Sequence, residues 1–105
     1  MEWIKVFTDS AAARSQLTPG SAWTIVAGGR KLCIGIHQDR IFAIADRCPH
    51  NGESLGKGRI NHIGEVICPW HGYRFSLSSG RCSESCADAE TFPVREEADG
   101  VFVAL

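Results

Sequence analysis

Apolar residues recur along the chain in short stretches that glycine, proline and aspartate interrupt. Residues 2–7 alternate loosely between polar and apolar side chains, which predicts a first strand. Residues 10–14 predict one helical turn, because Thr18-Pro19-Gly20 follows soon after and stops a helix. No longer helical periodicity is present, so the pattern predicts mostly strands.

Three further stretches predict an antiparallel meander. Residues 22–27, 30–37 and 40–45 are rich in Ile, Val, Leu and Phe. Only Gly28-Gly29 and Gln38-Asp39 separate them, and two-residue connections of this kind join neighbouring antiparallel strands. Residues 22–45 should therefore form one antiparallel meander.

The stretch from residue 46 to residue 80 has a different character. It is dense in Gly, Pro, Cys and His, which predicts loops that carry a site. Residues 91–95 and 101–105 again predict strands, joined by a turn around Asp99-Gly100. We expect one all-β domain over residues 1–105, with the site-bearing subdomain at about 46–80.

Composition agrees with one small domain and disfavours nucleic-acid binding. The 105 residues are 44% hydrophobic, and the formal net charge of −1 gives no basic field for nucleic acid. A domain this small buries a limited share of its surface, so a cross-link such as a metal centre would add to its stability. The N-terminal residues lack the pattern of an export signal, and no apolar run is long enough to cross a bilayer, so we expect a cytoplasmic protein.

The chain contains five cysteines, and an odd number cannot pair off completely in intramolecular disulfides. Reduced thiols are the expected state in the cytoplasm, so metal ligation is the leading explanation for some of them. Cys33 lies between apolar residues of a predicted strand and should be a core residue. Cys82 and Cys86 are expected to be free thiols, with metal or redox chemistry as the alternative.

Cysteine and histidine also occur together in two short groups, separated by a spacer of seventeen residues. The groups are Cys48-Pro49-His50 and Cys68-Pro69-Trp70-His71. A [2Fe-2S] cluster needs four ligands, and thiolates and imidazoles can hold different irons of one cluster. Each loop would then give one ligand to each iron, with the two loops facing each other.

A proline follows each cysteine and restricts the backbone, and a glycine follows each histidine closely. Gly52 and Gly72 allow positive φ angles, so both loops are expected to bend sharply. Backbone N–H groups freed by such bends can point at the cysteine sulfurs, which would stabilise a cluster and tune its potential.

On these residues the chain resembles the Rieske family, whose signature is similar to Cys48-Pro49-His50-Asn51-Gly52 with Cys68-Pro69-Trp70-His71-Gly72. Phe92-Pro93-Val94 before a final hairpin is also similar to that fold. The resemblance implies three small antiparallel sheets with a loop-rich cluster-binding subdomain at one tip. It also implies one [2Fe-2S] cluster, with Cys48 and Cys68 on one iron and His50 and His71 on the other.

The chain departs from the high-potential members of that family. Those proteins have a disulfide between the two loops, whereas Glu53 and Trp70 occupy the equivalent positions here. They also have hydroxyl donors after the second loop, where this chain has Tyr73 and Phe75. Fewer hydrogen bonds to the sulfurs lower the potential, so we expect a low-potential centre, roughly −150 mV.

Low-potential Rieske proteins of this size resemble the ferredoxins of bacterial ring-hydroxylating dioxygenases. The resemblance implies an electron carrier without catalysis of its own. Its donor would be a flavin-dependent reductase that uses NADH or NADPH, and its acceptor a terminal oxygenase. The chain is too short to contain the separate iron site of an oxygenase, which uses two histidines and one carboxylate.

Two alternatives remain open. A Cys₂His₂ set also suits a structural zinc in an interaction module, but zinc ligand pairs usually have roughly two to five residues between them, and Cys48 and His50 have only one. A non-redox subunit resembling the small subunit of assimilatory nitrite reductase would share the fold, but such relatives commonly lack the four ligands. His37 and His62 stand at no ligand spacing and are expected at the surface.

Overall fold

The computed structural model describes all 105 residues, and ten short strands form most of its regular structure. The strands are β1 Trp3–Phe7, β2 Trp23–Ala27, β3 Arg30–His37, β4 Arg40–Ala45, β5 Arg59–Ile60, β6 Glu65–Ile67, β7 Arg74–Ser76, β8 Thr91–Phe92, β9 Val94–Glu97 and β10 Gly100–Ala104. The helices are α1 Ser10–Gln16 and a single 3₁₀ turn, Leu55–Lys57. Every strand pair is antiparallel.

The strands form three small sheets, with the orders β1-β10-β9, β2-β3-β4-β8 and β5-β6-β7. This arrangement confirms the predicted fold class. The third sheet lies within the stretch that the sequence marks as loop-rich, and it contributes only two or three residues per strand.

The predicted meander is confirmed as β2, β3 and β4. Its two turns have positive φ at both central residues, +56° and +79° at Gly28 and Gly29, and +49° and +66° at Gln38 and Asp39. That geometry matches the twist of antiparallel strands, but it is unfavourable for residues with a side chain. Arg14 supports the second turn by pairing with the Asp39 carboxylate and donating to the Asp39 carbonyl at 2.8 Å.

The predicted helical turn extends to Gln16. Asp9 caps its start, because the carboxylate accepts the Ala12 N–H at 2.7 Å. Ala13 of the helix and Leu17, the residue directly after it, are buried. Neither helix has the length and hydropathy needed to span a membrane.

The predicted strand over residues 91–95 divides at Pro93. Thr91–Phe92 pairs with β4 in the second sheet, whereas Val94–Glu97 pairs with β10 in the first. Proline has no N–H to donate to a ladder, so the chain leaves one sheet and enters the other at this residue. The Pro93 carbonyl still accepts the Ala104 N–H at 3.0 Å.

Two hydrophobic cores fill the space between these sheets. One core contains Leu55, Val66 and Phe75 together with the cysteines of both loops. The other lies under α1 and includes Leu17, Leu32, Ile34, Val101 and Val103. The first core therefore supports the loops that the sequence marks as the site.

Cys33 is a fully buried core residue, as expected. Burial raises the pKa of the Cys33 thiol to about 12, and the negative charge of Asp46 acts in the same direction. This thiol stays protonated and unreactive at neutral pH.

The expectation that Cys82 and Cys86 are free thiols is wrong, because the structure pairs them in a disulfide. The Cys82 N–H donates to Asp88 Oδ1 at 3.0 Å and bends the segment back on itself. The two Cα atoms consequently lie 6.0 Å apart, within the range that a disulfide spans. Cys82 is buried and bridges to Phe75 of β7, so the disulfide closes a turn that packs into the first core.

Replacing Leu55 by alanine should lower the free energy of unfolding by about 2–5 kcal/mol, because the fully buried side chain would leave a cavity in the first core. Urea unfolding followed by tryptophan fluorescence measures this change. Val26→Ala is the control: Val26 is 67% exposed, and its loss should cost less than about 0.5 kcal/mol. Equal unfolding energies for the two variants would contradict the burial of Leu55.

Alkylation of the denatured, unreduced protein should modify three cysteines, Cys33, Cys48 and Cys68, once any bound metal has been removed. The double variant Cys82→Ala/Cys86→Ala should be less stable by about 2 kcal/mol, because the short disulfide loop restricts the unfolded chain. The difference should shrink when both proteins are unfolded in a reducing agent, because reduction removes the disulfide from the wild type and leaves only the loss of the buried Cys82 side chain. Modification of all five cysteines by mass spectrometry would refute the disulfide.

Candidate metal centre

Both cysteine loops fold back on their own cysteine through the same pair of backbone hydrogen bonds. In the first loop the Cys48 N–H donates to the Glu53 carbonyl at 2.8 Å, and the Gly52 N–H donates to the Cys48 carbonyl at 2.7 Å. The second loop repeats both bonds, at 2.8 Å from Cys68 and at 3.1 Å from Gly72. The two backbones are equivalent, although their histidines follow the cysteines at different spacings.

Glycine is required where each loop closes. Gly52 has a φ of +80° and Gly72 a φ of +76°, which confirms the expected sharp bends. Each of these glycines also donates the N–H that completes the loop. A residue with a side chain would be strained at either position.

The two loops begin on different sheets. Cys48 follows the end of β4 by three residues, whereas Cys68 comes directly after β6 and its loop leads into β7. The thiols enter the same core, where Cys48 is 0% and Cys68 1% exposed. The meander therefore supplies one loop and the small third sheet supplies the other.

A buried carboxylate holds the first loop against the meander. Asp46 accepts hydrogen bonds from the Thr24 hydroxyl at 3.0 Å, from the Ser54 hydroxyl at 2.8 Å and from the Gly56 N–H at 2.6 Å. Gly56 must lack a side chain, because a Cβ there would lie 2.0 Å from Thr24 Oγ1. These bonds fix the chain on both sides of Cys48, and sequence reasoning did not identify them.

The two histidines lie at the surface above the buried thiols. His50 and His71 are both exposed, and their ring centroids are 5.7 Å apart. The structure thus pairs the two predicted cysteines in the core and the two predicted histidines at the surface, with sulfur inside and imidazole outside.

The surroundings of Cys48 act on its thiol in opposite directions. Burial raises the pKa of Cys48, and the neighbouring Cys68 thiol raises it further, whereas the backbone N–H groups of Asn51 and His50 lower it. The sharp bend therefore does point N–H groups at a sulfur. Those N–H groups are placed to stabilise negative charge on a sulfur that binds metal.

Asn51 links the two loops and was not singled out from the sequence. Its Nδ2 lies 3.8 Å from Cys68 Sγ, while its Oδ1 accepts the Glu53 N–H at 2.9 Å. The Oδ1 also lies 3.8 Å from Cys68 Sγ, but its bond from Glu53 fixes which end of the amide is the oxygen and leaves the Nδ2 group as the donor available to that sulfur. The sequence signal was its position directly after His50, but the contact with the second loop depends on the folded structure.

Aromatic side chains position the histidines. The Tyr73 ring stacks on His50, with centroids 4.2 Å apart and planes inclined by 22°. The ring centroids of Trp70 and His71 are 5.0 Å apart, and Trp70 is 62% exposed. Phe75 is fully buried in the core and has no polar group to donate to a sulfur.

The donor set fits a [2Fe-2S] cluster bound by two thiolates and two imidazoles. The thiols lie on the buried side and the imidazoles on the exposed side, so the two kinds of donor are separated in space. No three His, Cys, Asp or Glu side chains converge as ligands of one metal ion. A two-iron cluster of this type needs only two protein ligands at each iron.

The remaining histidines lie elsewhere. His62 is exposed, and His37 is half-buried against Gly64, where an added Cβ would lie 2.7 Å from the imidazole. Both line a cleft whose residues include none from the two cysteine loops. The structure does not bring them to the candidate metal centre.

Known proteins resemble this chain in sequence. The family model described as "Rieske [2Fe-2S] domain" matches residues 7–95. The 3-phenylpropionate/cinnamic acid dioxygenase ferredoxin subunit of Shigella flexneri serotype 5b (strain 8401) is 33% identical over 66 residues, which are 61% of this chain and 62% of that protein. The match thus spans less than two thirds of the length of these curated relatives.

Solved structures share the fold. The ferredoxin of carbazole 1,9a-dioxygenase from Nocardioides aromaticivorans IC177 has a TM-score of 0.84 and 23% identity over 99% of this chain and 98% of its own. A complex of reduced oxygenase and oxidized ferredoxin in carbazole 1,9a-dioxygenase has a TM-score of 0.76 and 27% identity, over 86% and 94% of the two chains. A putative NADH-dependent nitrite reductase small subunit from Mycobacterium tuberculosis has a TM-score of 0.81 and 18% identity, over 99% and 95%.

The matched family residues include both cysteine loops and nearly all the strands that support them. The relatives identify the chain as a distant homologue of dioxygenase ferredoxin subunits. The chain belongs to the Rieske [2Fe-2S] domain family, whose domain carries a [2Fe-2S] cluster.

Proposed function

We propose that this chain carries single electrons between two redox proteins, using a low-potential cluster held by Cys48 and Cys68 at one iron and by His50 and His71 at the other. The observation that carries the proposal is the layered arrangement of these side chains, with two buried thiols beneath two exposed imidazoles on equivalent loops. When bound, the cluster supplies a one-electron couple.

In this proposal the cysteines, the histidines and Tyr73 have different roles. The buried cysteines keep anionic sulfur away from water, while the N–H groups of His50 and Asn51 face the Cys48 sulfur. The exposed histidine rings offer the shortest path between the centre and a docked partner. Tyr73 restricts the orientation of one of these rings by stacking on it.

The partners that we propose are a flavin-dependent NAD(P)H reductase as donor and a terminal oxygenase as acceptor. Support comes from relatives that are ferredoxin subunits of a dioxygenase, and from a matched structure in which an oxygenase and a ferredoxin form a complex. In this proposal the chain acts in the cytoplasm as one domain, with its cluster-binding subdomain at about 46–80, and catalyses no turnover of its own.

The alternative of a non-redox subunit receives less support. A nitrite reductase small subunit shares the fold, but at 18% identity that likeness is informative about fold alone. The presence of all four candidate ligands favours a redox role. The family match likewise favours iron and sulfide over zinc.

The purified protein should be red-brown, contain iron and acid-labile sulfide in equal amounts, and bleach partly with dithionite. His71→Ala should lose most of its iron and sulfide, because one iron would then lack a protein ligand. His62→Ala, which changes an exposed histidine outside the loops, should keep the wild-type content. A pale, zinc-containing protein would refute the proposed function, and equal iron loss in both variants would refute the ligand assignment.

The midpoint potential should lie near the bottom of the Rieske range, roughly −150 mV. Asn51→Ala should lower it by about 20–65 mV, the one-electron equivalent of a hydrogen bond to sulfur worth about 0.5–1.5 kcal/mol. Gln16→Ala, which removes an exposed amide at the end of α1, should leave the potential unchanged. Redox titration by absorbance or electron paramagnetic resonance measures both. A strongly positive wild-type midpoint, or an unchanged one in Asn51→Ala, would contradict these assignments.

A further inference from the structure

Positive side chains surround the tip that the two cysteine loops form. A cleft of about 700 Å³ lies beside the first loop, and its lining includes Arg30, Lys31, Arg47 and Lys57. A second cleft, of about 350 Å³, lies beside the second loop, where Lys57 and Arg59 meet Cys68 and Pro69. Lys57 belongs to both clefts, so the basic surface continues from one loop to the other.

This surface differs in charge from the rest of the molecule. Five of the eleven Lys and Arg line the two clefts, against two of the twelve Asp and Glu. The remainder of the chain has six basic and ten acidic side chains. The net charge of −1 therefore conceals a basic tip on an acidic body.

Few of these charges are neutralised within the protein. Lys31, Arg47 and Arg59 are exposed and take part in none of the six ion pairs of the structure. Lys57 meets Glu53 only at 3.9 Å. Arg30 alone has a close partner, Glu90, at 2.9 Å. Both acidic residues of the clefts, Asp46 and Glu53, are at least partly buried, so they contribute little to the outer surface.

We infer that the redox partners of this chain bind the tip with an acidic face, whose Asp and Glu side chains surround the point of electron transfer. The inference rests on the proposed function, because the partner is the protein that exchanges an electron at the exposed histidines. Exposed Trp70 and the two loop prolines supply an apolar centre, and the basic side chains form a charged rim around it. Complementary charge steers such encounters, mainly by raising the association rate at low salt.

Cytochrome c and its fully succinylated form are suitable probes, because the electron acceptor is the same protein in both. The native form has a basic surface and the succinylated form an acidic surface. In stopped-flow mixing at low ionic strength, the reduced protein should reduce the succinylated form faster than native cytochrome c. That rate should fall as salt is added, because ions screen the attraction. A rate for the succinylated form that rises with salt, as the net charge of −1 alone would require, overturns the inference.

Charge-reversal variants locate the effect. Arg47→Glu and Lys57→Glu should each slow reduction of the succinylated form on the order of threefold to tenfold at low salt. Arg40→Glu is the matched control: Arg40 is exposed, takes part in no ion pair, and starts β4, about 17 Å along the strand from the end that leads to Cys48. It changes the net charge equally and should leave the rate within about twofold of wild type. Equal slowing by all three variants overturns the inference.

A second readout does not require the cluster. On a sulfonate cation-exchange resin at pH 8, wild type and Arg40→Glu should elute at higher salt than Arg47→Glu and Lys57→Glu, whatever the iron content. Co-elution of all four proteins contradicts a basic tip. A colourless, iron-free preparation refutes the proposed function and the inference with it, whereas a coloured protein that prefers native cytochrome c refutes only the acidic partner.

Discussion

The closure of each cysteine loop on itself is the constraint on which the rest of the structure depends. A bond from the cysteine N–H to the carbonyl five residues later, together with the bond from glycine back to the cysteine carbonyl, gives both loops one shape. That shape places the thiol inward while the histidine that follows stays outside. Because the loops start on different sheets, the sheets must hold them in opposition, and Leu55, Val66 and Phe75 fill the core between them.

Asp46 is the one buried charged side chain in this support. A buried carboxylate is unfavourable unless donors satisfy it, and Thr24, Ser54 and Gly56 do so. These hydrogen bonds fix the first loop at both ends. Burial and the charge of Asp46 together raise the pKa of the Cys33 thiol, so the same carboxylate also helps to keep that core cysteine protonated.

Local patterns were sufficient to predict the meander and the final hairpin, and they also supplied the residues proposed for the candidate centre. Their signals lie within a few residues of one another: strand periodicity, paired turn residues, and cysteine and histidine at fixed spacing. The division at Pro93 was missed because a short apolar run does not reveal that its two halves pair with different sheets. The contacts of Asp46 and Asn51 join segments that are distant in sequence, so no local pattern predicts them.

The disulfide was missed for a different reason. The prediction for Cys82 and Cys86 relied on a general expectation about cellular compartment, whereas the pairing depends on a local bend held by Asp88. The bend packs Cys82 against Phe75, in the strand that follows the second cysteine loop. The pairing therefore follows from the local geometry of residues 82–88, which an argument about the redox state of the whole chain does not consider.

The layering of thiol and imidazole also limits how a carrier of this kind can work. Only the histidine side of the candidate centre reaches the surface, so an electron enters and leaves at the same tip. Donor and acceptor must therefore dock there in turn, and a partner that binds too tightly would block the next step. A rim of exposed charge suits this requirement, because long-range attraction speeds encounter while solvent-screened contacts contribute little to residence time.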